Sequence, residues 1–217
     1  MNTLIIFDLD GTIADTREDL VHAVNLVRKS YNLDKLPFDE IIGYVGEGLG
    51  PLMHKSLKNN PEIDHNDSCN RFTKYYNENL TVNTCLYDGV EKTIAALSEN
   101  GFHMAVLSNK PAEMTRKIVT HFGLDKYLIT TMGGGDVSTK KPEPEGVFEV
   151  IRRAEAKGFK QTKENVWMVG DHHTDMKVAG NAGIKSIFCN YGFGNRQGLP
   201  SDFDIETFSD VKNIITG

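Results

Sequence analysis

Two aspartates one residue apart, Asp8 and Asp10, close the first apolar run of the chain in Phe7-Asp8-Leu9-Asp10-Gly11-Thr12. A carboxylate in such a position can attack an electrophilic phosphorus and carry it as an aspartyl-phosphate. A second carboxylate two residues on can protonate the departing oxygen and then activate water. Three more polar clusters follow: Ser108-Asn109-Lys110, then Lys141 directly before Pro142, then Gly170-Asp171-His172-His173-Thr174-Asp175. Ser108 and Lys141 are residue types that hold phosphoryl oxygens as charge moves onto them. Carboxylates gathered in one pocket raise each other's pKa, and a divalent cation relieves that conflict. Oxygen donors of this kind favour magnesium, which keeps several waters and often binds substrate phosphate.

These residues are far apart in sequence, so the fold has to bring them together. Residues 3–8 read as a buried strand that stops at Asp8, with Gly11 serving the turn. Asp15 with Glu18 three residues on resembles a capping box, and Leu20, Val24, Val27 and Tyr31 form an amphipathic helical stripe. Residues 15–80 contain helical patterns and loops without a convincing strand, interrupted by Gly43-Tyr44-Val45-Gly46-Glu47-Gly48-Leu49-Gly50. From Tyr87-Asp88-Gly89 onward, helices at 90–99, 111–121, 145–157 and 174–182 alternate with strands at 102–107, 127–132, 166–169 and 186–189. That alternation predicts a parallel, doubly wound α/β sheet. The first strand must join the later ones, so the helical stretch between them is an insertion. Three of the four polar clusters then fall at carboxyl ends of strands, where open α/β sheets bind ligands.

The bulk numbers narrow the classes. The chain has 217 residues, 39% hydrophobic and 25% charged, with net charge -6. This is an ordinary globular balance with room for one large domain or a core with an insertion. The acidic balance argues against nucleic acid as a partner. Cys69, Cys85 and Cys189 are odd in number and widely spaced, which suggests no disulfide framework and fits a reducing cytoplasm. No apolar run approaches the roughly 20 residues of a membrane span, and the first residues lack the pattern of a secretory leader.

Taken together, the four motifs resemble those of the haloacid dehalogenase superfamily, in its aspartate-phosphatase branch, and the likeness extends to phosphoglycolate-phosphatase-like members with a helical cap. The resemblance covers roughly residues 3–195 and rests on Phe7-Asp8-Leu9-Asp10-Gly11-Thr12 with Asp15-Thr16, on Ser108-Asn109-Lys110, on Lys141-Pro142-Glu143-Pro144, and on Gly170-Asp171 with Asp175. It implies a Rossmann-like three-layer core with a parallel five-stranded sheet at 1–14 and 83–217, and an inserted α-helical cap at 15–82. It implies Asp8 as nucleophile and magnesium ligand. Asp10 would be the acid and base, with its carbonyl on the metal. Asp171 would be a direct metal ligand and Asp175 would support the metal. Ser108, Asn109 and Lys141 would grip the phosphoryl group, with Thr12, Gly46 and Glu47 on the substrate side. The expected substrate is a small phosphorylated metabolite, phosphoglycolate first, and the expected state is a monomer or homodimer.

Plainer readings stand beside these. Ser108 could cap the helix that starts near Pro111. Asp175 could start the helix at 174–182. Lys110 is expected to point to solvent, and of the adjacent lysines Lys140 is the exposed one. His172 and His173 lack a third soft ligand at zinc spacing and are expected to be loop residues near the mouth. The Gly43–Gly50 stretch lacks the ending of a nucleotide phosphate loop and is expected to reach into the pocket from the cap. A dehalogenase is disfavoured because that branch lacks a counterpart of Asp10. A sugar phosphomutase, a pyrophosphatase and a catalytically silent phospho-ligand module are the rival functions.

Overall fold

The structure is a computed structural model, and it describes residues 2–162 and 164–216. Its centre is a six-stranded sheet of β1 (Leu4–Phe7), β4 (His103–Pro111), β5 (Thr130–Gly134), β6 (Val166–Gly170), β7 (Lys185–Cys189) and β8 (Phe203–Ile205). The order is β5-β4-β1-β6-β7-β8, and every pairing is parallel. The expected count was five. The sixth strand, β8, is three residues long at the sheet edge and two of them are exposed, so it carries almost no hydrophobic pattern.

Period-2 alternation sorts the central strand. Ile5 and Phe7 pack on one side with Val90, Ile94 and Leu97 of α5 (Val90–Glu99), Ile118 of α6 (Ala112–His121) and Val211 of α9 (Asp210–Thr216). Leu4 and Ile6 pack on the other side with Val147, Val150 and Ala154 of α7 (Glu145–Glu155) and Val178 of α8 (His173–Ala182). Helices on both faces of a parallel sheet make three layers, the arrangement that buries β1 completely.

A two-residue strand β2 (Ala14–Asp15) pairs antiparallel with β3 (Cys85–Leu86). The chain between them forms α1 (Arg17–Ser30), α2 (Phe38–Ile42), α3 (Leu49–Ser56) and α4 (His65–Glu78). Ala14↔Leu86 and Asp15↔Cys85 bring the two ends of this helical segment side by side. The segment is tied down again by Asp19 of α1. Its buried carboxylate accepts from the Asn83 and Thr84 amides at 3.0 and 2.8 Å and from the Thr84 hydroxyl at 2.7 Å.

The capping box expected at Asp15 does not form. Thr16 is the residue ahead of α1 and makes no side-chain cap. Asp15 lies in β2 and holds Arg17 instead, at 2.5 Å from its guanidinium. The hydrophobic stripe of α1 is as expected, with Leu20, Val24 and Val27 buried. The three cysteines are all unpaired. No helix among the described residues is long and apolar enough to cross a membrane.

Candidate active site

The sheet order reverses direction at β1: the chain proceeds from β1 to β4 on one side and then returns to β6 on the other. The crevice at such a switch point is where α/β sheets bind ligands. Asp8 follows β1 directly, and its amide still pairs with the Val169 carbonyl at 2.9 Å, which fixes the residue in line with the strand. Asp171 follows β6 in the same way. The β4–β5 register shifts between Leu107 and Pro111, so the end of β4 bends where Ser108, Asn109 and Lys110 stand. All three are buried.

Lys141 comes from the loop ahead of α7 and is only 5% exposed, while Lys140 is exposed. The Lys141 backbone is locked to the β4 end by paired bonds. Its amide donates to Asn109 Oδ1 at 2.9 Å, and its carbonyl accepts from Asn109 Nδ2 at 2.9 Å. Its Nζ lies 3.0 Å from Asp8 Oδ1 and 2.6 Å from Asp175 Oδ1. Asp175 is fully buried in the first turn of α8, where the His172 amide donates to its Oδ2 at 3.0 Å. Gly170 has to lack a side chain because a Cβ there would collide with the Asp175 carboxylate.

The residues around Asp171 form a similar cradle. Gly194 N donates to Asp171 Oδ2 at 2.7 Å. A Cβ at Gly11, Gly192 or Gly194 would run into Asp171, and Gly11 also sits at φ 81. Gly192 and Gly194 were not singled out in the sequence. Their only signal there is a Gly-x-Gly pair soon after the strand at 186–189, which has no chemical meaning until Asp171 is beside it.

One oxygen each from Asp8, Asp171 and Asp175 lie within 4.8 Å of one another. Burial pushes the Asp8 carboxyl up to about 6, opposed by Lys141 and assisted by the charges of Asp175 and Asp10. Burial and the same neighbouring carboxylates push Asp171 well above the usual carboxylate range. Lys141 is lowered by burial but raised more by Asp175 and Asp8, and remains a cation. Three buried carboxyl groups crowd one ammonium, and ionising all of them together needs a further positive charge. The donors are hard oxygens in a space kept open by glycines, so the residues fit a divalent cation of the magnesium type.

Asp10 is built differently. Its Oδ1 accepts from the Thr16 hydroxyl at 2.5 Å and from Lys110 Nζ at 2.7 Å. Lys110 is therefore not the solvated side chain expected: it is 6% exposed, and its Nζ stands 4.7 Å from the centre of the Tyr76 ring of α4. Burial lowers its pKa, but Asp10 and then Tyr76 raise it further, and the net direction is up. An amphipathic stem and a partner across the cavity turned an apparently exposed lysine inward, and sequence spacing carries no signal for such a partner.

The histidines also depart from expectation. His172 caps α8, paired with Asp175 in a reciprocal capping box, and both His172 and His173 are buried. Burial and the adjacent His173 push His172 down to about 4, so it is neutral near pH 7. Its ring packs against Gly46: a Cβ there would sit 2.5 Å from it. The Gly43–Gly50 stretch does reach the crevice. Gly46, at φ 116, accepts from Asn109 Nδ2 at 3.0 Å through its carbonyl. Glu47 stays outside the cavity wall, bonded to Lys55 at 2.7 Å.

The cavity itself measures about 50 Å³, on the order of a few water-sized spheres. Asp8, Asp10, Ser108, Asn109, Lys110, Asp171 and Gly46 line it. Thr12 does not: it is fully buried behind the Asp10 turn, and its carbonyl accepts from the Tyr191 hydroxyl at 2.8 Å. It supports the loop from below rather than meeting a ligand.

Comparison with known proteins agrees with this geometry. The family described as haloacid dehalogenase-like hydrolase matches residues 5–189. A phosphoglycolate phosphatase of Aquifex aeolicus is 31% identical over 98% of this chain and 96% of its own. One from Haemophilus influenzae is 30% identical over 100% and 99%. The crystal structure of a predicted phosphoglycolate phosphatase from Haemophilus somnus superposes with TM-score 0.89 at 26% identity, covering 98% of this chain and 97% of that one. The chain therefore belongs to the haloacid dehalogenase-like hydrolase family, and within it is an enzyme of the phosphatase type.

Proposed function

We propose that the protein hydrolyses a small phosphate monoester, phosphoglycolate first among them, through a covalent phosphate on Asp8 and with magnesium bound. The observation that carries this reading is the position of Asp8: a buried carboxylate at a sheet switch point, 3.0 Å from Lys141 Nζ and grouped with Asp171 and Asp175. Phosphoglycolate is favoured by the relatives of 31% and 30% identity and by the small cavity.

Asp8, Asp171 and the Asp10 carbonyl would hold the ion, with Asp175 supporting it from below. Bound there, magnesium neutralises the carboxylates and the phosphoryl oxygens. Lys141 and Ser108 hold phosphoryl oxygens against their growing charge. An Asp8 carboxylate oxygen forms a bond to phosphorus as the bond from phosphorus to the alcohol oxygen breaks, and protonated Asp10 gives its proton to that oxygen. Asp10, now a carboxylate, takes a proton from water; the hydroxide attacks phosphorus, the bond to Asp8 breaks, and inorganic phosphate leaves. Residues 15–82 act as a cap that opens for exchange and closes over the crevice. The bond from Asn109 to Gly46 supports that role because it fastens the glycine-rich loop to the β4 end.

Phosphate release from a panel of esters tests the reading. Magnesium-dependent release from phosphoglycolate, with a phosphate label on Asp8 trapped by rapid acid quench, is expected. An isomerised ester without free phosphate, or undiminished turnover in Asp8→Asn, would sink it.

A further inference from the structure

The cavity has two chemically different ends. The phosphate end holds Asp8 and Asp171. The other end is walled by Leu20, Leu49, Leu52, Phe72 and Met114. One cation enters that apolar end, Lys110, and it is as deeply buried as the nucleophile. A lysine ammonium carries three protons. One of them goes to Asp10 at 2.7 Å. Tyr76 stands beside the same ammonium and is fully buried, and Lys110 is a polar group that its hydroxyl faces. With the ammonium as donor to it, the phenol oxygen still has its own proton to give. Both side chains line the cavity.

The leaving oxygen has to come within reach of Asp10, because Asp10 is the group that protonates it. Lys110 is bonded to that same carboxylate, so its remaining protons face whatever is attached to the leaving oxygen. A neutral aliphatic alcohol would bring no charge to meet the ammonium and the phenol in this apolar wall. A carboxylate one or two carbons from the ester oxygen would accept from both. We propose that Lys110, together with Tyr76, binds an anionic oxygen of the leaving group, so that the site selects phosphate esters of small hydroxy acids. This inference rests on the phosphatase reading and adds the residues that choose the substrate. The alternative is that Lys110 only balances the charge of Asp10.

Two esters of similar size separate these. Phosphoglycolate carries the carboxylate, and 2-hydroxyethyl phosphate replaces it with a neutral alcohol. Both are assayed with wild type, Lys110→Met and Tyr76→Phe, with kcat and KM resolved. Binding of both esters is also measured by calorimetry on Asp8→Asn, with and without Lys110→Met. Wild type is expected to prefer phosphoglycolate. Lys110→Met is expected to cut kcat/KM for phosphoglycolate about 10- to 100-fold more than for the neutral ester. Tyr76→Phe keeps the ring beside Lys110 and should shift the ratio the same way by less. Equal losses on both esters, or a wild type indifferent to the carboxylate, would overturn the inference and leave the phosphatase reading intact. If no ester releases phosphate, that reading fails, and calorimetry still decides recognition: a carboxylate preference that vanishes with Lys110→Met supports it, and equal binding of the two esters overturns it.

Discussion

Lys141 Nζ lies 2.6 Å from Asp175 Oδ1, and the two side chains are 2% and 0% exposed. The pair supports the part of the cavity that holds Asp8, since the same ammonium reaches Asp8 at 3.0 Å. Removing one partner of a buried pair strands the other without solvation. Lys141→Met should lower the stability of the metal-free protein by about 3–5 kcal/mol. It should also cut turnover by at least about 100-fold, because the proposed mechanism loses a donor to the phosphoryl oxygens. Chemical denaturation and single-turnover assays read the two effects separately. A variant that unfolds at the wild-type midpoint would show that the pair is not the support described.

Asp8→Asn should separate stability from activity. The amide keeps an oxygen to accept from Leu9 N, now at 2.7 Å to Oδ1, but it cannot form a stable bond to phosphorus. Turnover is expected to fall by at least about 1,000-fold. The metal-free variant should nevertheless be as stable as wild type or more so at neutral pH, because the substitution removes a buried charge crowded by Asp10 and Asp175. Parallel loss of fold and activity in thermal melts would mean that Asp8 is structural.

In the metal-free protein the contribution of Asp8 to stability should fall as pH rises through the acid range, and the difference between wild type and Asp8→Asn reads it. Asp8 moves from its ordinary 3.8 to about 6 on folding, through burial against the opposing pull of Lys141. A raised carboxyl pKa means that the folded state holds the proton longer than the unfolded chain, so stability is fullest below about 4 and falls until about 6. Two pKa units correspond to roughly 3 kcal/mol at most. Asp171 is raised as well and adds in the same direction. Magnesium bound as proposed would need the carboxylates ionised, so its stabilising effect should be larger at pH 7 than at pH 5. Melts with magnesium and with a chelator across this range test the sign. Equal shifts at both pH values would argue against carboxylate binding of the ion.

How much of this was legible in the sequence depends on distance along the chain. Asp8, Ser108 and Asp171 were placed correctly at one sheet edge because each directly follows an apolar run, and parallel pairing does the rest. The alternation after residue 87 predicted four helices and four strands close to those found. What escaped was contact between segments. The inward turn of Lys110 depends on Asp10 and Tyr76, one in the first turn and the other in α4. The role of Gly192 and Gly194 depends on Asp171, which precedes them by a whole helix and strand. Asp15 read as a helix cap from its local spacing, yet strand pairing with Cys85 placed it in β2. Short edges such as β8 escaped for a different reason, since three residues cannot show a period.

Asp19 illustrates the same point and supplies the last prediction. In the sequence it is one acidic residue among several in the first turn of α1, a position that favours negative charge near a helix start. In the fold it is 1% exposed and ties α1 to the returning chain. It accepts from Asn83 N and Nδ2 at 3.0 Å, from Thr84 N at 2.8 Å and from Thr84 Oγ1 at 2.7 Å. Asp19→Ala leaves these donors buried and unanswered, which should cost about 2–4 kcal/mol. Asp19→Asn replaces one acceptor oxygen by a donor that meets the Thr84 or Asn83 amides head-on, so it should rescue only part of that loss. Leu20, the next residue, lines the cavity, so hydrogen exchange in α1 should quicken and KM should rise in both variants while the phosphate end stays assembled. Denaturation midpoints unchanged in Asp19→Ala would show that the helical segment is held by its apolar contacts alone.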